Sequence, residues 1–222
     1  MGRSLWERVL DLLFPPKCTF CHELLAESEL EDRICAQCLA ELQPQQIQLS
    51  GEFLDGGYSL FSYGGKVRQS IHRFKFNGRK EYAHVYARLL STEVRQAEWI
   101  EKIDVVTYVP TNRRNVRKRG YNHAALLAKY VAFNLRLEMI PMLEKIRETQ
   151  GMYGLKPHER RANIMGSIKI SCNMEQIAGK NVLLVDDIFT TGATAGECAG
   201  VLRMAGAAKV FVLTVAKTEK SY

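Results

Sequence analysis

Two groups of residues in this sequence have the types and spacing that chemistry requires. The first is a set of cysteines in two C-x-x-C pairs: Cys18, Cys21, Cys35 and Cys38. The second is an acidic and hydroxylated segment that follows the apolar run 182–185: Asp186, Asp187, Thr190, Thr191, Gly192, Ala193 and Thr194. Paired thiolates suit a metal ion, whereas carboxylates followed by a small, hydroxylated loop suit a sugar phosphate.

The cysteine pairs predict a structural zinc site. Each C-x-x-C turn directs two thiolates at one ion, and two turns complete a tetrahedral four-thiolate shell with no open position. Three alternatives are weaker. Disulfides need a secretory route, a thioredoxin-like pair uses a single C-x-x-C, and haem attachment at Cys18–His22 leaves the second pair unexplained. The separate Cys172 and Cys198 are expected to be buried, inert thiols.

The segment after the apolar run combines two kinds of group. Ligands of open parallel sheets bind beyond the C-terminal ends of strands, where we expect Asp186 and Asp187. The loop Thr190–Thr194 offers backbone N–H groups, hydroxyls and the positive end of a following helix, which suit a phosphate monoester. The carboxylates would repel that phosphate. We therefore predict that they accept hydrogen bonds from vicinal sugar hydroxyls or act on a magnesium shell.

A parallel α/β sheet flanked by helices is the architecture predicted to position these residues. Short, β-branched apolar runs at 105–109, 182–185 and 210–215 are typical of strands buried on both faces. The last two runs are joined by a helix and form a βαβ unit. The predicted strands are 58–63, 104–110, 138–143, 167–171, 181–186 and 209–216, and the predicted helices are 66–74, 81–96, 124–136, 157–164 and 193–205.

The chain divides into an acidic N-terminal piece and a basic remainder. Residues 1–44 hold four Lys or Arg against eight Asp or Glu, whereas residues 45–222 hold twenty-seven against sixteen. We predict an N-terminal helix and a small zinc-ribbon-like module over 1–44, a linker over 45–57 and the α/β domain over 58–222. The apolar stripe of that helix is expected to pack on its own domain, with docking to a partner as the alternative. We expect neither a signal peptide nor a membrane span.

The segment Val182–Thr194 resembles the signature of type I phosphoribosyltransferases. This resemblance implies a site for phosphoribosyl pyrophosphate with magnesium, in which Asp186 and Asp187 hold the ribose hydroxyls as candidate catalytic residues and Thr190–Thr194 hold the 5-phosphate. Together with the four cysteines, further segments resemble the ComF/GntX family, whose members with the zinc module are associated with DNA uptake in transformable bacteria. Those segments are 63–64, 71–76, 109–110, 117–122 and 160–163.

Two acid-free basic stretches are candidate contacts for polyanions. The first follows the strand at 104–110: Arg113, Arg114, Arg117, Lys118 and Arg119. Related transferases bind pyrophosphate on this loop, which implies that role for Arg117 and Arg119. Five cations exceed what one pyrophosphate needs, so we predict that the whole set also contacts nucleic acid, together with Lys75 of the second stretch at 66–80. Phe74 and Phe76 lie among the latter cations and are expected in the core rather than against bases.

Two functions remain open on these residues. We favour a competence-associated protein that binds phosphoribosyl pyrophosphate and single-stranded DNA in the cytoplasm, with the zinc module as a docking site for the uptake machinery. The alternative is an active transferase, in which a base, nucleotide or nucleic acid displaces pyrophosphate from the anomeric carbon. The sequence gives that enzyme no recognisable hood for an acceptor and no clear general base, since His123 at a helix start is more often structural. A nucleobase salvage enzyme would have no use for the zinc module or the basic loop.

Overall fold

The computed structural model describes residues 15–112, 114, 116–117, 120–147, 159 and 163–219. The strands are β1 Ile47–Gln48, β2 Gly56–Ser62, β3 Val105–Tyr108, β4 Glu138–Met139, β5 Leu143–Lys145, β6 Ile168–Ile170, β7 Asn181–Phe189 and β8 Lys209–Lys217. The helices are α1 Ala36–Glu41, α2 Gly65–Phe76, α3 Tyr82–Val94, α4 His123–Leu135 and α5 Ala193–Met204. Short 3-10 turns lie at Glu27–Glu29, Ile100–Lys102 and Met174–Gln176.

The main sheet has six strands in the order β1-β2-β8-β7-β3-β4. Only β1 is antiparallel to its neighbour, and β5 and β6 form a separate antiparallel pair. The residues 182–185 of β7, the strand between β3 and β8, have no exposed area. Helices α2, α3 and α4 cover one face of the sheet, while α5 and the β5–β6 pair cover the other. Burial on both faces explains the continuous apolar runs and confirms the predicted parallel α/β fold.

The cysteine module packs on the same core as α2, α3 and α4. Phe20 is 1% exposed, and its ring centroid lies 5.5 Å from that of Phe61 in β2. Helix α2 also bonds to the module: the Ser70 hydroxyl donates to the Thr19 carbonyl at 2.5 Å, and the Arg73 guanidinium donates to the Phe20 carbonyl at 2.5 Å. The module is therefore joined to the α/β domain by apolar and polar contacts. The predicted N-terminal helix lies outside the described residues.

The segment predicted as a linker contains part of the sheet. Ile47 and Gln48 of β1 pair with Ser59 and Tyr58 of β2, and the Leu49 N–H donates to the Gly57 carbonyl at 2.9 Å. A strand of two residues is too short for alternation to be visible in a sequence. The predicted linker at 45–57 is thus partly an edge strand.

Two predicted strands have different bounds in the structure. The strand predicted at 138–143 is divided into β4 and β5, which belong to different sheets, because Pro141 between them has no N–H to continue a ladder. The strand predicted to end at Asp186 continues to Phe189, which pairs with Lys217 of β8. The helix predicted at 157–164 lies largely outside the described residues. Among the residues that are described, no helix is both long and apolar enough to cross a bilayer.

Candidate functional site

Strand β7 carries both acidic residues of the predicted site. Because successive side chains of a strand point to opposite faces, the two carboxyls meet different surroundings. Asp187 is 2% exposed, whereas Asp186 is partly exposed. Their oxygens nevertheless lie within 4.8 Å of each other and of a ring nitrogen of His123. Both acids therefore lie in the C-terminal half of β7, close to each other, within the strand rather than beyond its end.

Asp187 is held by basic side chains from two other elements. The Lys75 Nζ atom of α2 lies 2.8 Å from Asp187 Oδ2, and His123 Nε2 at the start of α4 lies 3.5 Å from the same oxygen. Burial opposes ionisation of Asp187, but the charges of Lys75 and His123 outweigh it and hold the pKa of the carboxyl below its ordinary value of 3.8. Lys75, which the sequence assigns to nucleic acid, is instead largely buried against this acid.

The pKa of Asp186 is shifted in the opposite direction, upwards. Burial and the adjacent charge of Asp187 raise the pKa of Asp186 from 3.8 to about 8. Its Oδ1 atom accepts a hydrogen bond from the Asp187 N–H at 2.8 Å. Two carboxylates this close resist double ionisation, so the pair holds one proton near neutral pH, on Asp186. Hydroxyl donors or a magnesium ion, both of which favour the ionised carboxylate, fit the chemistry of this donor set.

A small pocket joins Asp186 to the loop after β7. Its volume is about 30 Å³, close to that of one water molecule, so a sugar phosphate would lie mostly against its mouth. The pocket is lined by Asp186, Ile188, Phe189, Thr190, Gly192, Thr194, Ala195, Val212 and Thr214. Asp187 is not part of this lining. The pocket therefore gathers one of the two acids together with the predicted phosphate loop.

The loop at the start of α5 has the geometry of an anion site. Gly192 has a φ of 78°, and a Cβ atom there would lie 2.7 Å from the Phe189 ring, so only glycine fits this turn. Among the described residues, no acceptor takes a hydrogen bond from the N–H groups of Gly192, Thr194 or Ala195. These groups and the positive end of the helix are available to an anion.

The basic loop leaves the sheet beside the acidic strand end. Strand β3 is the parallel neighbour of β7, and the Val109 N–H donates to the Val185 carbonyl at 3.0 Å. The segment that follows β3 therefore begins next to Asp186. Arg114 and Arg117 are exposed residues of this segment. The other predicted cations lie outside the described residues: Arg113, Lys118 and Arg119.

Lys145 is a basic residue near the pocket that the sequence does not reveal. It lies at the end of β5, and burial lowers its pKa even though the neighbouring Asp186 acts in the opposite direction. No local motif connects β5 to β7, which are distant in the chain. Only the folding of the chain brings this amine near Asp186.

The four predicted zinc ligands form one cluster. The sulfurs of Cys18, Cys21, Cys35 and Cys38 all lie within 4.8 Å of one another, and those of Cys21 and Cys35 are 3.6 Å apart. A tetrahedral zinc ion with Zn–S bonds of about 2.3 Å places its sulfurs roughly 3.8 Å apart, so these thiols fit the ion. Burial opposes ionisation of Cys18, but backbone hydrogen bonds, including one from the Cys35 N–H, lower its pKa to about 7. The cluster supports a structural zinc ion.

Four further side chains test the predicted core. Cys198 and Phe74 are fully buried, as predicted, and burial raises the pKa of the Cys198 thiol. Cys172 is partly exposed. The prediction that Phe76 lies in the core is wrong: it is 57% exposed, and its ring centroid lies 4.8 Å from that of His72.

The fold and the cysteine cluster define a class: a mostly parallel α/β domain that follows a zinc ribbon module. Residues 9–49 match the family model of the double zinc ribbon domain. Among solved structures, the glutamine phosphoribosylpyrophosphate amidotransferase of Bacillus subtilis superposes with a TM-score of 0.44 at 19% identity, covering 64% of this chain and 30% of that chain.

Relatives of this chain are named for competence and DNA utilization. DNA utilization protein YhgH of Escherichia coli O157:H7 is 28% identical over 188 residues, which cover 83% of this chain and 78% of the relative. Competence protein F of Haemophilus influenzae is 28% identical over 151 residues, 66% of each chain. Competence protein ComFC of Bacillus subtilis is 25% identical over 136 residues, 61% of this chain and 53% of the relative. These homologues confirm the predicted resemblance to the ComF/GntX family.

Proposed function

We propose that this protein binds phosphoribosyl pyrophosphate at the end of β7 and handles single-stranded DNA in the cytoplasm during natural transformation. One observation carries the first part: Asp186 and the N–H groups at the start of α5 share one pocket. That arrangement offers a carboxyl to sugar hydroxyls and a positive helix end to a phosphate. The names of the relatives support the process of DNA uptake.

The two acids have different tasks in this proposal. Asp186 releases its proton and accepts hydrogen bonds from the ribose hydroxyls. Asp187 contacts no ligand in this proposal; burial of Asp186, together with the Asp187 charge that Lys75 and His123 stabilise, raises the pKa of Asp186. Magnesium, when bound with the ligand, neutralises charge on the pyrophosphate. We assign the contact with that group to Arg117, which is exposed on the segment that leaves β3.

Isothermal titration with magnesium and phosphoribosyl pyrophosphate tests this site. We expect the wild type to bind and Asp186→Asn to bind at least about tenfold more weakly, since a lost charge-assisted hydrogen bond costs about 1.5–3 kcal/mol. Gly192→Ala should also bind at least about tenfold more weakly, because a Cβ atom at this positive φ would meet the Phe189 ring and displace the loop. Glu175→Gln, an exposed acid on the 3-10 turn at Met174–Gln176, is the matched control. Equal affinity in Asp186→Asn, Gly192→Ala and the control would contradict the proposal.

Phosphoribosyl transfer is the second candidate function. The observation that favours it is Lys145, a partly buried amine whose pKa is lowered by burial and which interacts with Asp186, because such amines are candidate general bases. His123 is a weaker candidate, since it is 7% exposed and faces Asp187. Pyrophosphate release is measured with and without single-stranded DNA. Release that depends on DNA and falls in Lys145→Met supports transfer, whereas ligand binding without release assigns a binding function.

The proposed DNA contact rests on the exposed cations of the basic loop. Each phosphate contact that is lost should reduce the salt dependence of binding, by about 0.7 in the slope of log K against log salt for single strands. Arg114→Gln/Arg117→Gln should therefore lower the slope by more than one. Lys129→Gln/Lys209→Gln removes the same charge from exposed positions on α4 and β8 and should leave the slope unchanged. Equal slopes in both double variants would contradict this surface.

A further inference from the structure

A larger cavity lies between the zinc module and the start of α3. Its volume is about 330 Å³, within the range of about 300–1,000 Å³ that is typical of small-molecule sites. It is lined by Pro15, Pro16, Lys17, Thr19, His22, Arg33, Arg79, Glu81, Tyr82 and Val85. It shares no lining residue with the pocket at the end of β7. The cavity is therefore a separate space, and the proposed function gives it no role.

The charges around this cavity are mainly positive. Lys17, Arg33 and Arg79 contribute three cations, against the carboxylate of Glu81. Arg79 Nη1 lies 3.5 Å from Glu81 Oε1, but both side chains are more than 40% exposed, so this pair is weakened by solvent. Within the described part of the chain, no carboxylate lies within ion-pair distance of Lys17 or Arg33. Two cations at the cavity are thus available to an anion.

The cavity also offers a buried hydroxyl and an apolar wall. Thr19 is 1% exposed, and its Oγ1 atom has no hydrogen-bond partner among the described residues. A buried hydroxyl normally has a hydrogen-bond partner, so the Thr19 hydroxyl is available to a polar group of a bound ligand. Two proline rings and the Val85 side chain provide the apolar surface. The lining therefore combines cations with a surface that suits a flat or weakly polar ring.

We propose that this cavity binds a nucleotide through its phosphate group. Lys17, Arg33 and Arg79 hold the phosphate, and the sugar and base lie against Pro15, Pro16 and Val85. The same chemistry is offered by a free nucleotide and by the phosphates of a single strand. Because the two sites share no lining residue, this proposal stands whether or not the end of β7 binds phosphoribosyl pyrophosphate.

Titration with deoxythymidine monophosphate tests the cavity directly. All proteins are full-length, zinc-loaded and carry Gly192→Ala, which is expected to weaken any binding at the end of β7 at least about tenfold. We expect saturable binding that is at least tenfold weaker in Lys17→Gln/Arg79→Gln and unchanged in the control Lys129→Gln/Lys209→Gln. Equal affinity in both double variants, or no saturable binding in their common parent, would overturn the proposal.

A substitution at Thr19 separates a ligand contact from a folding defect. Thr19→Val keeps the shape of the side chain and removes the hydroxyl that has no described partner. We expect it to weaken binding of the monophosphate severalfold while thermal stability is maintained. Binding that is unchanged in Thr19→Val, together with unchanged binding in the lysine and arginine variant, would assign the monophosphate to another surface.

Thymidine oligomers with and without a 5′-phosphate distinguish the two sources of the phosphate. Preference for the 5′-phosphorylated oligomer assigns the cavity to strand ends, and equal binding that falls in Lys17→Gln/Arg79→Gln assigns it to backbone phosphates. Binding of the monophosphate alone assigns it to a free nucleotide. If Lys17→Gln/Arg79→Gln changes binding of neither the oligomers nor the monophosphate, the cavity binds neither strands nor free nucleotides.

Discussion

The zinc module and the pocket at the end of β7 both gather ionisable groups into a small volume, but they draw on the chain differently. All four thiols lie between Cys18 and Cys38, on two turns. The acidic pair on β7 contacts Lys75 from α2 and His123 from α4, and Asp186 also affects the pKa of Lys145 at the end of β5. The first cluster needs only its own turns and an ion, whereas the second exists only when the sheet and three other elements are in place.

Removal of one thiol should have the largest effect on stability, because it leaves a four-thiolate zinc site with three of its ligands. The apparent binding free energy of a structural zinc ion is about 10–16 kcal/mol, and Phe20 between the ligands is part of the main core. We expect Cys38→Ser to lose bound zinc and to melt at a markedly lower temperature. Zinc content and thermal unfolding measure this. Cys172→Ser, outside the cluster, should keep both, and a Cys38→Ser protein with unchanged melting would show that the module contributes no stability.

Loss of Lys75 should have the next largest effect on stability, since it leaves the Asp187 carboxylate buried without its nearest cation. We expect Lys75→Met to lower the free energy of unfolding by about 3–5 kcal/mol at pH 7. The folded pKa of Asp187 is lowered, so its stabilisation is present above pH 3.8 and is lost as the pH falls through the folded pKa. The effect of Lys75→Met should therefore shrink in acid.

Urea unfolding at pH 7 and below pH 4 measures the role of Lys75. Arg68→Met, an exposed position on α2, is the control and should change stability little. The double variant Lys75→Met/Asp187→Asn should be more stable than Lys75→Met alone. A penalty for Lys75→Met that persists in the Asp187→Asn background would mean that the contact with Asp187 is not its cause.

Substitution of Asp186 should change the free energy of unfolding with the opposite dependence on pH. Its folded pKa is raised to about 8, so its contribution to stability is complete below pH 3.8 and is lost as the pH rises to about 8. We expect Asp186→Asn, which resembles the protonated form, to gain stability relative to the wild type as the pH rises from 5 to 9. Unfolding at pH 5, 7 and 9 tests this. Parallel pH profiles of the variant and the wild type would refute the raised pKa.

The exposed Phe76 should give the smallest effect on stability. We expect Phe76→Ala to change the free energy of unfolding by less than about 0.5 kcal/mol, whereas Phe74→Ala on the same helix should cost about 3–5 kcal/mol. Chemical denaturation of the two variants measures this contrast. Comparable losses would contradict the exposed position of Phe76.

The clusters differ in how much of them a sequence can reveal. The zinc ligands and the segment Asp186–Thr194 could be predicted because spacing along the chain determines their geometry. The different surroundings of the two acids could not, since they depend on the continuation of β7 and on the orientation of α2 and α4. The surface position of Phe76 did have a signal: the buried residues of α2 recur at helical spacing, and Phe76 lies off that stripe. They are Val67, Ser70, Ile71 and Phe74.

Helix α2 contacts both the zinc module and the acidic pair, so it fixes the spacing between them. Ser70 and Arg73 bond to the backbone of the zinc module, and Lys75 bonds to Asp187. An α-helix turns by about 100° per residue. One residue inserted between Arg73 and Lys75 would turn the lysine away from Asp187, while the hydrogen bonds from Ser70 and Arg73 to the zinc module remained. The number of residues between Arg73 and Lys75 is therefore constrained, whatever residue lies between them.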